Sequence, residues 1–185
     1  MCTPTTPLIP LMSYPLRPGD EGLYGPQGWT VDRGIPDLLA PYIPSSPPWG
    51  DFIRFSHLDG EAAAALLEIM PTQCLAVDSQ NTAPPLGDLL RIATSTTGVT
   101  LDGYLISAPR IDERVSVDAL SLPDPAAEQA LNSRLSSYAL LQEWTQIAPL
   151  IGIDPLEATR YEPDELLPIA RCPGTGKPGW WIWWD

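Results

Sequence analysis

Proline divides this chain. Eleven of its 23 prolines, from Pro4 to Pro48, lie in residues 1–50. A proline has no N–H to donate, and its ring pushes the preceding residue out of the helical region. Residues 1–50 are therefore expected to be extended or irregular, which leaves residues 51–185 to form one folded domain. The stretch is not empty of apolar groups: Leu8, Ile9, Leu11, Met12, Tyr14, Leu23, Tyr24 and Trp29 can anchor it. It reads as a proline-rich arm packed on the domain, since a free partner-binding arm would carry fewer large apolar side chains.

From residue 51 the apolar spacing switches between periods of two and of 3.6. That predicts an α+β or α/β fold, with one mixed sheet and three or more helices. Residues 51–57 read as a strand, with Phe52, Arg54 and Ser56 facing one way and Ile53 and Phe55 the other. Ser56 and Asp59 fit a capping box, and the Ala/Leu-rich run Glu61–Met70 predicts a helix stopped by Pro71. Cys74–Val77 reads as a short buried strand. Beyond Pro84 and Pro85, the spacing of Leu86, Leu89, Leu90 and Ala93 predicts a helix that Gly98 ends. Val99–Ser107 and Arg114–Leu122 alternate as strands, joined by a hairpin link over 108–113. Asp124 and Pro125 open the longest expected helix, which runs to Pro149 or Gly152. Asp154-Pro155-Leu156-Glu157 and Glu162-Pro163-Asp164-Glu165 read as the starts of two short helices.

Apolar residues make up 44% of the 185, enough for one core. The net charge is −13, from 23 acids against 10 bases, and Lys177 is the only lysine among those bases. Arginine over lysine, with abundant Ala, Leu and Pro, suits a GC-rich bacterial genome. Nucleic acid and anionic membrane both demand cationic patches, so neither is expected as a partner. Cys2, Cys74 and Cys172 show no paired spacing, and His57 is the only histidine. No disulfide framework, metal site or cofactor is expected. Residues 1–4 show neither the basic nor the apolar stretch of a secretory leader, and no run of 18 apolar residues occurs, so a cytoplasmic location is expected.

Few residues suggest chemistry. Gly174-Thr175-Gly176-Lys177 looks like the end of a phosphate-binding loop. That loop needs Gly at 171 and Ser or Thr at 178, where this chain has Arg171 and Pro178. Nucleotide binding is therefore not expected there. His57 would have to serve any Ser-His-Asp or Cys-His site, but it also fits a surface or capping role. Arg110, Asp112, Glu113 and Arg114 form a compact charged cluster; paired carboxylates in unlike surroundings can do acid–base work, although such links are usually solvated. Asp78, Gln80 and Asn81 follow the expected strand at 74–77, where an α/β sheet would bind ligands.

The C-terminus, Trp180-Trp181-Ile182-Trp183-Trp184-Asp185, puts four of the seven tryptophans into five residues. As a strand it turns Trp181 and Trp183 one way and Trp180, Ile182 and Trp184 the other. One face must pack on the core. The other either lies under a second layer, such as the arm, or offers a partner-binding surface, which makes Trp180, Trp181, Trp183 and Trp184 the candidate contact residues. The leading expectation is a non-catalytic protein-interaction module, an immunity- or inhibitor-type protein being one concrete form, because acidity suits a basic partner. The alternative is a small carboxylate-using enzyme centred on Asp112, Glu113 and Arg114.

Overall fold

The computed structural model describes residues 21–44, 51–133 and 143–185. Its centre is a five-stranded sheet of β1 (Phe52–Leu58), β2 (Thr100–Ile106), β3 (Arg114–Pro123), β4 (Glu165–Ile169) and β5 (Gly179–Trp183), in the order β1-β2-β3-β5-β4. With the helices around it this is an α+β fold. All four pairings are antiparallel, so the sheet is not mixed. The reason is connectivity: the helical excursion after β1 brings the chain back alongside it in the opposite sense, and a hairpin then joins β2 to β3.

Before the sheet come α1 (Trp29–Asp32) and α2 (Ile35–Leu39), whose Trp29, Ile35 and Leu39 are buried in the core. The rest of the expected arm, residues 1–20 and 45–50, lies outside the described residues. Helix α3 (Gly60–Ile69) is capped by Asp59 itself and not by a Ser56–Asp59 box: Asp59 Oδ1 accepts the N–H groups of Glu61 and Ala62, each at 3.0 Å, while Ser56 lies within β1. The expected strand at Cys74–Val77 is instead α4 (Thr72–Val77). A short apolar run fits either period, and here Cys74 is buried while Val77 is 59% exposed. Helix α5 (Leu86–Ser95) buries Leu86, Leu89, Leu90 and Ala93 on one face, and Gly98 follows in the left-handed region at φ 80°.

The single long helix after Asp124 is also corrected. Asp124 does open α6 (Ala126–Asn132), accepting the N–H of Ala126. But Ser133 is extended, with ψ 150°, and its hydroxyl bonds back to the Ala130 carbonyl. That local bond competes with the helix. After residues 134–142, which lie outside the described residues, α7 (Trp144–Ile147) leads into a 3-10 turn, Ala148–Ile151. Asp154 accepts the Leu156 N–H, yet only a turn and a 3-10 segment, Ala158–Tyr161, follow. The helix expected from Glu162 is replaced by β4, whose Pro168 is tolerated because β4 is an edge strand.

Alternation divides the sheet into two faces. Phe55, Leu58, Leu101, Leu105, Val115, Val117, Leu120, Trp180, Ile182 and Trp184 point inward and join the helices in one core. Trp184 packs edge-on against Trp144, with ring centroids 6.2 Å apart. Both indoles are satisfied, Trp144 donating to the Ala158 carbonyl and Trp184 to that of Tyr161. Gly103 sits where a Cβ would come within 2.1 Å of the Ser116 carbonyl oxygen, so β2 and β3 can approach only over glycine. Beside it both neighbours bulge: β3 inserts Asp118, and β1 shifts register between Phe55 and Leu58. The β1 bulge holds His57 at φ 62°, with its N–H on Asp102 Oδ1 at 2.7 Å.

Candidate functional site

Strand geometry separates the charged cluster of the β2–β3 link. Consecutive residues at the start of a strand point to opposite faces. Glu113 is fully buried and accepts hydrogen bonds from the Gly28 N–H and, at 2.6 Å, from the Thr30 hydroxyl. It thereby satisfies donors at the start of α1. Arg110 and Asp112 clasp each other through two contacts, of 2.7 and 2.6 Å. The hydrogen bond from Arg110 holds the Asp112 carboxyl below its ordinary range. Arg114 leans the other way, over the Tyr104 ring, with its guanidinium carbon 5.7 Å from the centroid. His57 is distant from all of them: it lies beside Asp102, whereas Arg114 pairs with Ile106 at the other end of β2. Of the five expected catalytic candidates, Arg110 and Asp112 are paired, but the five are not brought together into one site.

A different polar network occupies the outer face. Arg54, Tyr104 and Ser116 are cross-strand neighbours on β1, β2 and β3. Arg54 pairs with Asp118, the bulged residue, at 2.5 Å. Tyr104 donates to Gln80 Oε1 at 2.9 Å and accepts from Arg114. Asp78, at the end of α4, reaches the same network from the uncovered edge of β3. Burial raises its pKa; the hydroxyls of Ser116 and Tyr24 and the charge of Arg114 oppose that rise. Its Oδ1 has no hydrogen-bond partner among the described residues. Asp118 is raised as well, first by burial, with Arg54 opposing. The neighbouring Cys74 thiol is pushed up to about 12 by burial and by Asp78. Asp78 and Gln80 were candidates from sequence, but they belong to a helix end and not to a strand end. Tyr24, Arg54, Tyr104, Ser116 and Asp118 carried no sequence signal, because only strand register and two bulges bring them together.

The tryptophan run forms β5, an interior strand paired on both sides. Trp180 and Trp184 belong to the core, which removes them from the candidate contact surface. Trp180 is fixed further by an indole hydrogen bond to Asp124 Oδ2 at 2.8 Å. Trp181 and Trp183 remain on the outer face, partly exposed and stacked, with planes 11° apart and centroids 6.1 Å apart. Carboxylates surround the Trp183 end. Glu165 is its cross-strand partner, the Asp164 N–H donates to the Trp183 carbonyl, and the Asp185 N–H donates to Asp164 Oδ2, both at 2.9 Å. All three acids are exposed.

Among the described residues, no group of three or more His, Cys, Asp or Glu side chains is placed to hold a metal ion. No helix among them is long and apolar enough to cross a membrane. The described clefts are lined elsewhere than by Asp112, Glu113 or Arg114. One of about 600 Å³ opens between the Glu21–Pro26 turn and Gln73, with Tyr24 in its wall. No family model, no curated protein and no solved structure matches the chain.

Proposed function

We propose that this protein is a non-catalytic, cytoplasmic binding module that engages a basic protein through the tryptophan and carboxylate patch at the β4–β5 end of the sheet. One observation carries the reading: the stacked pair Trp181 and Trp183 stands outside the core with Asp164, Glu165 and Asp185 at its rim. Aromatic rings take arginine guanidinium groups on their faces, and carboxylates beside them complete the ion pair. The charge of −13 steers a basic protein toward the patch and repels nucleic acid. An inhibitor or immunity protein for a basic enzyme is the concrete form that suits this chemistry. The rival reading, a small carboxylate-using enzyme, loses Glu113 to a structural role. The buried Asp78 beside Arg114 is what remains to support it.

Quantitative capture from the source cell compares three baits: the wild-type chain, Trp181→Ala/Trp183→Ala, and Asp164→Asn/Glu165→Gln/Asp185→Asn. The expected result is a basic protein held at low salt, released as salt rises, and bound at least tenfold more weakly by both variants. A partner retained equally by all three baits would remove the patch from the proposal. Turnover of a small substrate that Asp78→Asn abolishes would favour the enzyme.

A further inference from the structure

Residues 166–184 contain no acid and two bases, Arg171 and Lys177, in a chain of net charge −13. The hairpin that joins β4 to β5 is therefore a cationic spot on an acidic molecule. The Gly174-Thr175-Gly176-Lys177 run, which does not fit a phosphate loop, turns this hairpin. The N–H groups of Thr175 and Gly176 donate to the Cys172 carbonyl, at 3.2 and 2.7 Å, and the Cys172 N–H donates to the Lys177 carbonyl at 2.7 Å. Gly176 supplies the left-handed residue, at φ 69°. The loop thus fixes the Lys177 backbone, while the Lys177 ammonium has no ion pair among the described residues.

A cavity of about 430 Å³ opens between this loop and the start of α6. Small-molecule sites are commonly of that size. Pro123, Pro125 and Pro178 give it apolar walls, with Lys177 on the loop side and Asp124 and Glu128 on the α6 side. Its shape is set before anything enters. The Asp124 N–H donates to the Pro178 carbonyl at 3.1 Å and joins the two sides. Gly174 lies so close to Gly98 that an added Cβ would strike the Gly98 carbonyl oxygen, so the loop is also seated on the turn before β2. A preformed site loses little freedom on binding.

The charges in the cavity are of both signs and differ in how they are used. Asp124 is committed, since its two oxygens accept the Ala126 N–H and the Trp180 indole. Glu128 is not: its carbonyl accepts from Asn132, but its carboxylate has neither an ion pair nor a hydrogen bond among the described residues. Lys177 and Glu128 form no ion pair with each other, which leaves a ligand room to bridge them. An anion would be attracted by Lys177 but repelled by two acids. A cation would meet Lys177. A molecule with one charge of each sign on an apolar body matches both groups and the prolines together.

We propose that this cavity is a binding site for a small zwitterion with an apolar body, in its simplest form an apolar amino acid. Lys177 takes the carboxylate, Glu128 the ammonium, and the three prolines the side chain. The site lies at the Gly179 end of β5, away from Trp183, and does not depend on the basic partner proposed above.

The test titrates the full chain with four probes, followed by amide resonances. L-leucine carries both charges and the apolar body. 4-Methylpentanoate lacks the ammonium, 3-methylbutylamine lacks the carboxylate, and glycine lacks the body. The expected result is a saturable shift of the Thr175, Lys177 and Glu128 amides by L-leucine, with a Kd of about 1 mM, and binding about fivefold weaker for each of the other three. Lys177→Met and Glu128→Gln should each weaken L-leucine about fivefold at unchanged Tm, because both side chains are exposed, and Lys177→Arg should keep it within about twofold. No saturable shift with L-leucine up to about 20 mM overturns the proposal. So does equal binding of L-leucine and any of the other three probes, or L-leucine binding that neither Lys177→Met nor Glu128→Gln changes.

Discussion

Glu113 ties two distant parts of the chain, since the groups it accepts from belong to residues 28 and 30. Glu113→Ala leaves the buried Thr30 hydroxyl and the part-buried Gly28 N–H without an acceptor, so it should destabilise the fold by about 3 kcal/mol. Glu113→Gln keeps one carbonyl oxygen and should cost about 1 kcal/mol. Urea midpoints at constant slope check the order; equal stability of all three proteins would mean that the latch contributes nothing. Asp78 behaves oppositely. Burial raises its pKa in the folded state, so between the unfolded value near 3.9 and the folded value the native chain keeps a proton that the unfolded chain has released. Its contribution is full below about pH 4 and is lost as pH rises through the folded pKa. Asp78→Asn cannot titrate. It should be more stable than wild type at pH 7, with the gap closing toward pH 4. Asp112, whose pKa is lowered, contributes above about pH 4 and is lost below it, so it acts outside this window. A constant deficit of Asp78→Asn from pH 4 to 7 would contradict the argument.

At the scale of elements, β5 is the strand on which the sheet depends. It pairs with β3 and β4 at once, and it delivers Trp180, Ile182 and, just beyond its end, Trp184 to the core. Removing residues 180–185 deletes both ladders and those three side chains, so the shortened chain should lose cooperative melting. Single substitutions resolve the two faces: Trp184→Ala should cost about 3–5 kcal/mol, as for a fully buried aromatic, and Trp183→Ala no more than about 1. Equal losses at the two positions would refute the assignment of faces. The division into two faces was legible in the residues, because alternation in a strand is rigid, but which face meets the core was not, since both carry large aromatic groups. Also legible were α3, α5, β1 and the β2–β3 hairpin, each marked by a cap, a period or a pair of alternating runs. Other elements were not. Cys74–Val77 is too short for its period to tell helix from strand. The break at Ser133 depends on one side-chain bond back to Ala130. Strand β4 contains Pro168 and follows acids that resemble a helix start. The network of Arg54, Tyr104, Ser116 and Asp118 depends on bulges, which leave no pattern in the sequence.

The charge of −13 acts on the molecule as a whole. Acids without basic partners repel one another more when the chain is compact than when it is unfolded. Against that stand, among the described residues, the ion pairs Arg54–Asp118, His57–Asp102, Arg91–Asp88, Arg110–Asp51 and Arg110–Asp112. Salt screens both, so the sign of its effect shows which is larger. Four of the five pairs have both partners partly exposed or depend on a protonated histidine, and exposed pairs are each worth at most about 1 kcal/mol. Asp118 is buried and its bond to Arg54 is short, so this pair is screened least. The repulsion involves many acids at once and acts over distances that a Debye length of about 30 Å at 0.01 M leaves open, but one near 10 Å at 0.1 M closes. Repulsion should therefore win. Raising sodium chloride from about 0.01 to 0.1 M should lift the Tm by about 3 °C, which for a chain of this size corresponds to roughly 1 kcal/mol. Most of the gain falls within that range, which separates screening from the general salting-out effect that grows at molar salt. A Tm that declines over the same range would mean that the ion pairs outweigh the repulsion, and it would weaken the case that an excess of acid is held on this surface for a basic partner.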